Sequence, residues 1–318
     1  MASWNHTPDL PLTVNPLFER PLNSGAVLRW YVGSWLPFSI NLAIVMLSFV
    51  CLWWFSPNLE QAVLPGLWMF GVLFRNAVII SVLAGGLHWW FHSSQKQGLT
   101  GKYDPRPFPR KGKMFTGGDQ LRDNMTWVLL SGVPIWSGFE ILIWTAMANG
   151  WVATTTFAQT PVWFVLVFFL IPLWESFYFY WIHRVLHSDW LYRFHALHHR
   201  NTDVGPWSGL SMHPVEHVMY FGTVLIHFVV PTHPVHLICH LMFYALTAII
   251  THTGFEGLWI GGRKRVQMGT FHHQMHHRFF ECNYGSLEMP WDKAFGTFHD
   301  GTDAAGDRMR DRLKARRR

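Results

Sequence analysis

Charge is what this sequence has least of: Asp, Glu, Lys and Arg make up 14% of its 318 residues, against roughly 25% in ordinary soluble domains. That scarcity argues against a water-surrounded globule and for a membrane protein. Cysteine is scarcer still. Cys51, Cys239 and Cys282 have no CxxC spacing, so the signals for a disulfide scaffold, a thiolate zinc site and c-type haem attachment are all missing. There is no glycine fingerprint for a dinucleotide, so electrons for any redox chemistry must come from another protein. Residues 1–25 lack a basic region leading into a short apolar stretch; no cleavable signal peptide is expected, and the first membrane helix should act as the signal. No tandem repeat and no convincing alternation of apolar and polar residues is found, so the predicted fold is all-α. The positive charge is confined to segments flanking apolar runs rather than spread as a stripe, which argues against nucleic acid as a partner.

What the chain does have is apolar length. Half of it is hydrophobic, with 19 Trp and 26 Phe, as suits helices that meet lipid and its interfaces. Four bilayer-length runs are predicted to span: Tyr31–Phe55, Leu67–Trp90 (interrupted by Arg75 and Asn76, which must face other helices or snorkel), Met125–Met147 and Val162–Ile182. Two shorter runs, Val218–Val230 and Val235–Ile250, flank Pro231 and Pro234 and read as a re-entrant helical hairpin. Loop 93–124 carries Lys96, Lys102, Arg106, Arg110, Lys111, Lys113 and Arg122, whereas loops 56–66 and 149–160 contain no Lys or Arg. By the positive-inside rule the N-terminus, the basic loop and everything after the fourth span are cytoplasmic, in a bacterial inner membrane or the endoplasmic reticulum. The expected organisation is a cytoplasmic segment 1–30, membrane helices 31–160, a catalytic domain 161–299 forming a helical cap, and a basic tail 300–318 ending Arg316-Arg317-Arg318.

Histidine, at 20 residues, is both abundant and clustered. His183 and His187 form an HxxxH pair beyond the fourth span, one helical turn apart and on one face. His195, His198 and His199 form HxxHH, and His273, His276 and His277 repeat it. Adjacent members such as His198 and His199 can reach different ions. A lone HxxxH is more often a packing feature than a ligand pair, and His88/His92 and His236/His240 are read that way. Three boxes together are different. Eight imidazoles without a thiolate suit iron, zinc or copper and are too many for one ion, so a dinuclear redox centre is expected.

With these boxes, and with Leu191-Tyr192, His213-Pro214-Val215-Glu216, His252-Thr253-Gly254, Asn283-Tyr284-Gly285, Trp291-Asp292-Lys293 and Phe295-Gly296-Thr297, the region Trp174–His299 resembles the fatty acid hydroxylase and sterol desaturase superfamily. The resemblance implies two iron ions, dioxygen as co-substrate, a lipid substrate hydroxylated or desaturated at the cytoplasmic membrane face, and an external electron carrier: a b-type cytochrome, or a ferredoxin with its reductase. Zinc is expected to compete for the same ligands in purified protein. The eight box histidines match the family's ligands, and His213 and His252 match additional histidines of its sterol-oxidising branch. Fatty acid 2-hydroxylases carry a further His where this chain has Ala248, which argues against that branch. Sterol-like substrates rank first, ahead of fatty acyl, sphingoid, alkylglycerol and carotenoid ones.

Three residues are candidates for supporting the ligands. Glu175 stands beside Ser176, where many relatives have an acid, and lies about 80° off the first box's helical face, so a supporting acceptor and a buried, paired structural carboxylate are equal readings. Glu216 reaches the boxes if the fold returns it there. His272 is open between supporting and substituting for a ligand. The rival reading is a non-catalytic membrane zinc-binding protein or transporter, although a transporter would place ligands near the bilayer midplane. The basic loop could also dock an acidic carrier, but topology alone accounts for its charge.

Overall fold

The computed structural model describes residues 15–32 and 40–316. The expected first span is therefore described only from Ile40 onward, and residues 1–14, Arg317 and Arg318 lie outside the described residues. After a short α1 (Ser24–Trp30), the membrane-type helices are α2 (Ile40–Phe55) and α3 (Trp68–His88), the latter running into a π-turn at Trp89–Ser93. Next come α4 (Gln120–Trp127) and α5 (Val133–Ala148), joined by a π-turn into one rod, and α6 (Pro161–Leu186). The histidine-rich part of the chain follows: α7 (Tyr192–His199), α8 (Pro214–Phe221), α9 (Pro234–Thr251), α10 (Phe271–Phe279), α11 (Trp291–Ala294) and α12 (Asp303–Arg316).

Four helical stretches are long and apolar enough to cross a membrane: Trp68–Ser93, Gln120–Ala148, Pro161–Leu186 and Pro234–Thr251. Three overlap the predicted spans. The fourth is the expected second arm of the hairpin, which at 18 residues is longer than the sequence reading allowed. Its partner arm is also different: α8 gives way to a 3-10 stretch at Gly222–Phe228. The reason for the length is position. From Pro234 to Leu246 every residue of α9 is buried, as expected of a helix that is apolar all round and forms a core instead of facing solvent or lipid. It packs against α2, α3, α5 and α6. Gly209 makes the closest approach possible: a Cβ there would stand 2.3 Å from the Ala248 carbonyl oxygen.

The outer helices show the opposite pattern. Met46, Trp53, Trp54 and Phe55 on α2, Phe70, Phe74 and Val82 on α3, and Val162, Val165 and Leu166 on α6 are exposed. So much contiguous apolar surface fits contact with lipid and not with water. The polar residues of the second predicted span turn inward. Arg75 donates to both Glu140 carboxylate oxygens and to Ser56, and Asn76 donates to Ser137 and Glu140.

The all-α expectation needs one correction. β1 (Gly257–Ile260) and β2 (Arg263–Gln267) form a two-stranded antiparallel hairpin. Its turn is Gly261-Gly262, with φ of 62° and 73°, the left-handed pair that a tight hairpin requires and glycine supplies. The hairpin leads directly into α10 and so sets where the third histidine box begins.

The buried ion pair yields a stability prediction. Arg75→Leu leaves Glu140 buried without its partner and should cost about 3–5 kcal/mol, whereas Arg75→Leu with Glu140→Leu should recover most of that loss. Thermal unfolding in detergent distinguishes the two; equal destabilisation by both variants contradicts the assignment.

Candidate dimetal centre

Four helix ends converge on one place. His183 lies in the last turn of α6 and His187 caps it; α7 supplies His195, His198 and His199; His252 caps α9; α10 supplies His273, His276 and His277. The start of α10 is fixed by the Thr270 side chain, which accepts from the His273 N–H. Its end is fixed by Phe280, in a left-handed conformation at φ 66°, which turns the chain back toward the site.

The imidazoles sort into two buried groups: His183, His187, His195, His199 and His276 in one, and His198, His252, His273 and His277 in the other. Neighbouring residues divide between them, His198 from His199 and His276 from His277. Within the first group Nε2 atoms are separated by 3.1 Å (His183–His195), 3.0 Å (His187–His199), 2.9 Å (His195–His199) and 3.0 Å (His199–His276). In the second the separations are 3.1 Å (His252–His277), 3.0 Å (His252–His273) and 3.1 Å (His273–His277).

For four of the rings the proton is committed elsewhere, so their Nε2 atoms cannot donate. His183 Nδ1–H donates to the Tyr284 carbonyl (2.7 Å), His276 Nδ1–H to the Cys282 carbonyl (2.6 Å), His252 Nδ1–H to the Ala248 carbonyl (2.7 Å) and His195 Nδ1–H to the Glu216 carboxylate (2.7 Å). A neutral imidazole donating from Nδ1 presents a lone pair at Nε2. Burial and the surrounding imidazoles hold His195, His199, His273 and His277 well below the ordinary imidazole range, so these rings are neutral. Converging lone pairs repel unless a cation sits among them. Ligands at right angles around an ion about 2.1 Å away would be about 3.0 Å apart, and tetrahedral ones about 3.4 Å. The observed spacing leaves each group able to close on one ion, and an all-imidazole donor set fits iron. Thiolate plays no part: burial pushes the Cys282 thiol well up, and this residue contributes its carbonyl.

The remaining sequence candidates fall in different places. Glu216 is buried on His195. His213 is not gathered with the others; it stands at the N-cap of α8, where Nδ1 accepts from the Val215 N–H (3.2 Å), and its ring packs on Phe194. The following Pro214 fixes the helix start there, which holds the ring away from both groups. His272 lies outside both groups, 3.2 Å from Asp292 Oδ2. Glu175 hydrogen-bonds no imidazole and instead lines a cavity. His92 faces the Thr253 carbonyl (3.2 Å), His236 the Phe164 carbonyl (2.9 Å), and His240 pairs with His227 (3.1 Å).

Asp292 is an organiser that sequence reasoning gave no role. It accepts from the Tyr284 and Gly285 N–H groups (2.9 and 2.8 Å) and from Thr297 Oγ1 (2.6 Å), and those donors together with His272 draw its carboxyl below the usual range against the cost of burial. Asn283, at φ 53°, donates to the His272 and His299 carbonyls. Together they hold the loop whose carbonyls orient His183 and His276. Only the motif Asn283-Tyr284-Gly285 near Asp292 marked this loop in the sequence.

A cavity of about 100 Å³ opens between α6, α8 and α9 and touches both groups through His183, His195, His198, His252 and His273. Phe179, Ile182, Leu186, Met212 and Phe243 give it apolar walls.

Residues 165–297 match the fatty acid hydroxylase family. The chain is 30% identical over 144 residues to the C-4 methylsterol oxidase of Schizosaccharomyces pombe, covering 43% of this chain and 47% of that one. It is 30% identical over 137 residues to human lathosterol oxidase, covering 41% and 44%. With the Delta(7)-sterol-C5(6)-desaturase of Nicotiana tabacum identity is 25% over 189 residues, covering 57% and 68%. The chain thus spans less than half the length of the first two relatives. No solved structure matches.

The two groups make a separable prediction. His252→Ala should remove a ligand and lower metal occupancy toward one ion per chain, while His213→Ala should leave occupancy unchanged. Metal analysis of the purified variants checks it; loss of metal in the His213 variant would overturn the division.

Proposed function

We propose, on the premise that residues 165–297 belong to the fatty acid hydroxylase family in its sterol desaturase-like branch, that this protein is a membrane-bound di-iron oxidoreductase that hydroxylates or desaturates a lipid. The observation that carries the proposal is the pair of converging imidazole groups opening on one apolar cavity. His183, His187, His195, His199 and His276 would hold one iron, and His198, His252, His273 and His277 the other. Two bound irons would supply the redox chemistry by which dioxygen oxidises an unactivated carbon–hydrogen bond, work side chains alone cannot do.

The protein's own contribution is placement. The carbonyls of Tyr284, Cys282 and Ala248 and the Glu216 carboxylate hold four rings in the ligating tautomer. Phe179, Ile182, Leu186, Met212 and Phe243 exclude water and grip the hydrocarbon, so the carbon presented to the ions decides between alcohol and double bond. Sterol-like lipids rank first as substrates because the relatives it resembles are sterol oxidases and desaturases; fatty acyl, sphingoid, alkylglycerol and carotenoid chains follow. Electrons come from a b-type cytochrome, or from a ferredoxin with its reductase. The proposed topology places the N-terminus, the histidine cap and the C-terminus in the cytoplasm, with Val218–Ile250 as the re-entrant hairpin. A non-catalytic zinc site accounts less well for five imidazoles in one group and for an apolar-walled cavity touching both groups.

The test is a lipid profile of cells expressing the protein or its His276→Ala variant, with and without oxygen. A hydroxylated or desaturated lipid formed only with the unaltered protein, oxygen and bound iron supports the proposal. Equal product from the variant, or from metal-free protein, overturns it.

A further inference from the structure

The cavity has a polar end that the chemistry of the ions does not use. Glu175, on the cavity wall of α6, precedes His183 by just over two turns, about 12 Å along the helix axis. It is only 6% exposed, and among the described residues its carboxylate has no hydrogen-bond partner; what acts on it is burial and the charge of Glu288. Glu288 lines the same cavity; its carboxylate is held by the Ser286 side chain and its own backbone N–H, while its Oε2 is buried without a partner. The segment bearing it is pinned in place: Ser286 Oγ donates to Ser176 Oγ (2.9 Å) beside Glu175, and Tyr31 Oη donates to the Glu288 carbonyl (3.1 Å). Nearer the imidazoles, Glu216 Oε2 is likewise buried, unpartnered and on the cavity wall. No Lys or Arg lines the cavity among the described residues.

Two carboxyl groups sharing a low-dielectric space without a cation cannot both ionise, so the pair retains a proton. It then offers one donor and several acceptor lone pairs at the same spot. A hydroxyl group, which donates once and accepts, satisfies both, and a bare hydrocarbon end would leave them unpaired at a cost. We propose that Glu175 and Glu288 bind the hydroxyl of a lipid alcohol and hold it about 12 Å, along α6, from the imidazole groups. The oxidised carbon then lies toward the far end of the ligand from this hydroxyl. This inference rests on the proposed function for the word oxidised, but the binding site itself does not depend on turnover.

The experiment measures saturable binding of tritiated cholesterol, its 3-deoxy counterpart cholest-5-ene, and 1-octadecanol to the metal-loaded protein in nanodiscs. Glu175→Leu and Glu288→Leu should each weaken the alcohols about tenfold and leave cholest-5-ene and iron content unchanged. Glu175→Gln, which keeps a donor and an acceptor, should restore most of the affinity. The proposal is overturned if neither alcohol binds saturably, if the Leu variants bind alcohols normally, if cholest-5-ene weakens in parallel, or if octadecylamine displaces 1-octadecanol at lower concentration than 1-octadecanol itself. Alcohol binding intact in a protein that never turns over would count against the di-iron reading and leave this one standing.

Discussion

Repulsion between imidazole lone pairs is the constraint on which the rest of the structure depends. Nine buried rings offer nitrogens that lie within 4.8 Å of one another in each of two groups, an arrangement that a cation at each focus would relieve. Most of what surrounds the rings is scaffolding for that arrangement. α9 buries nearly its whole surface and ends at His252; α6 carries the first box out of the apolar region on an unbroken helix; the β1–β2 hairpin aims α10; and Asp292 holds the loop that returns two carbonyls to His183 and His276. Because a metal-ligating imidazole needs its second nitrogen fixed, these outer contacts matter to the site nearly as much as the rings do.

The same layout explains why membrane and chemistry are continuous here. The ligands sit at the ends of apolar helices, and the cavity that touches them runs back along α6 between walls of Phe, Ile, Leu and Met. Under the proposed function a lipid would reach the site without its hydrocarbon crossing water, which a site on an outer, solvent-facing surface would not allow. Among the buried carboxylates, Glu140 is paired with Arg75, whereas Glu175 and Glu288 line the cavity. The contrast separates carboxylates that hold helices together from those free to meet a ligand.

Much of this was legible in the letters, for physical reasons. Spacings of three and four residues put rings on one helical face wherever the helix forms, so His195, His198 and His199 and their counterparts on α10 could be read as units, and long apolar runs announce helices directly. What resisted reading depends on backbone placed by distant segments. Carbonyls have no letter, so the contacts of His183 with Tyr284 and of His276 with Cys282 left no trace beyond a motif. His213 has a ligand's side chain but caps a helix that points it elsewhere. Gly261-Gly262 was a turn signal overlooked because the strands on either side are short and one is basic. Glu175 reads as either a support for an imidazole or a buried, paired structural carboxylate, and two helical turns carry it down the cavity instead.

X-ray absorption of the purified, active protein at the iron edge bears most directly on the imidazole cradle. The account predicts two irons per chain, each surrounded by nitrogen and oxygen at about 2.1 Å, with no sulfur neighbour. A sulfur shell, or a single iron in fully active protein, would contradict it.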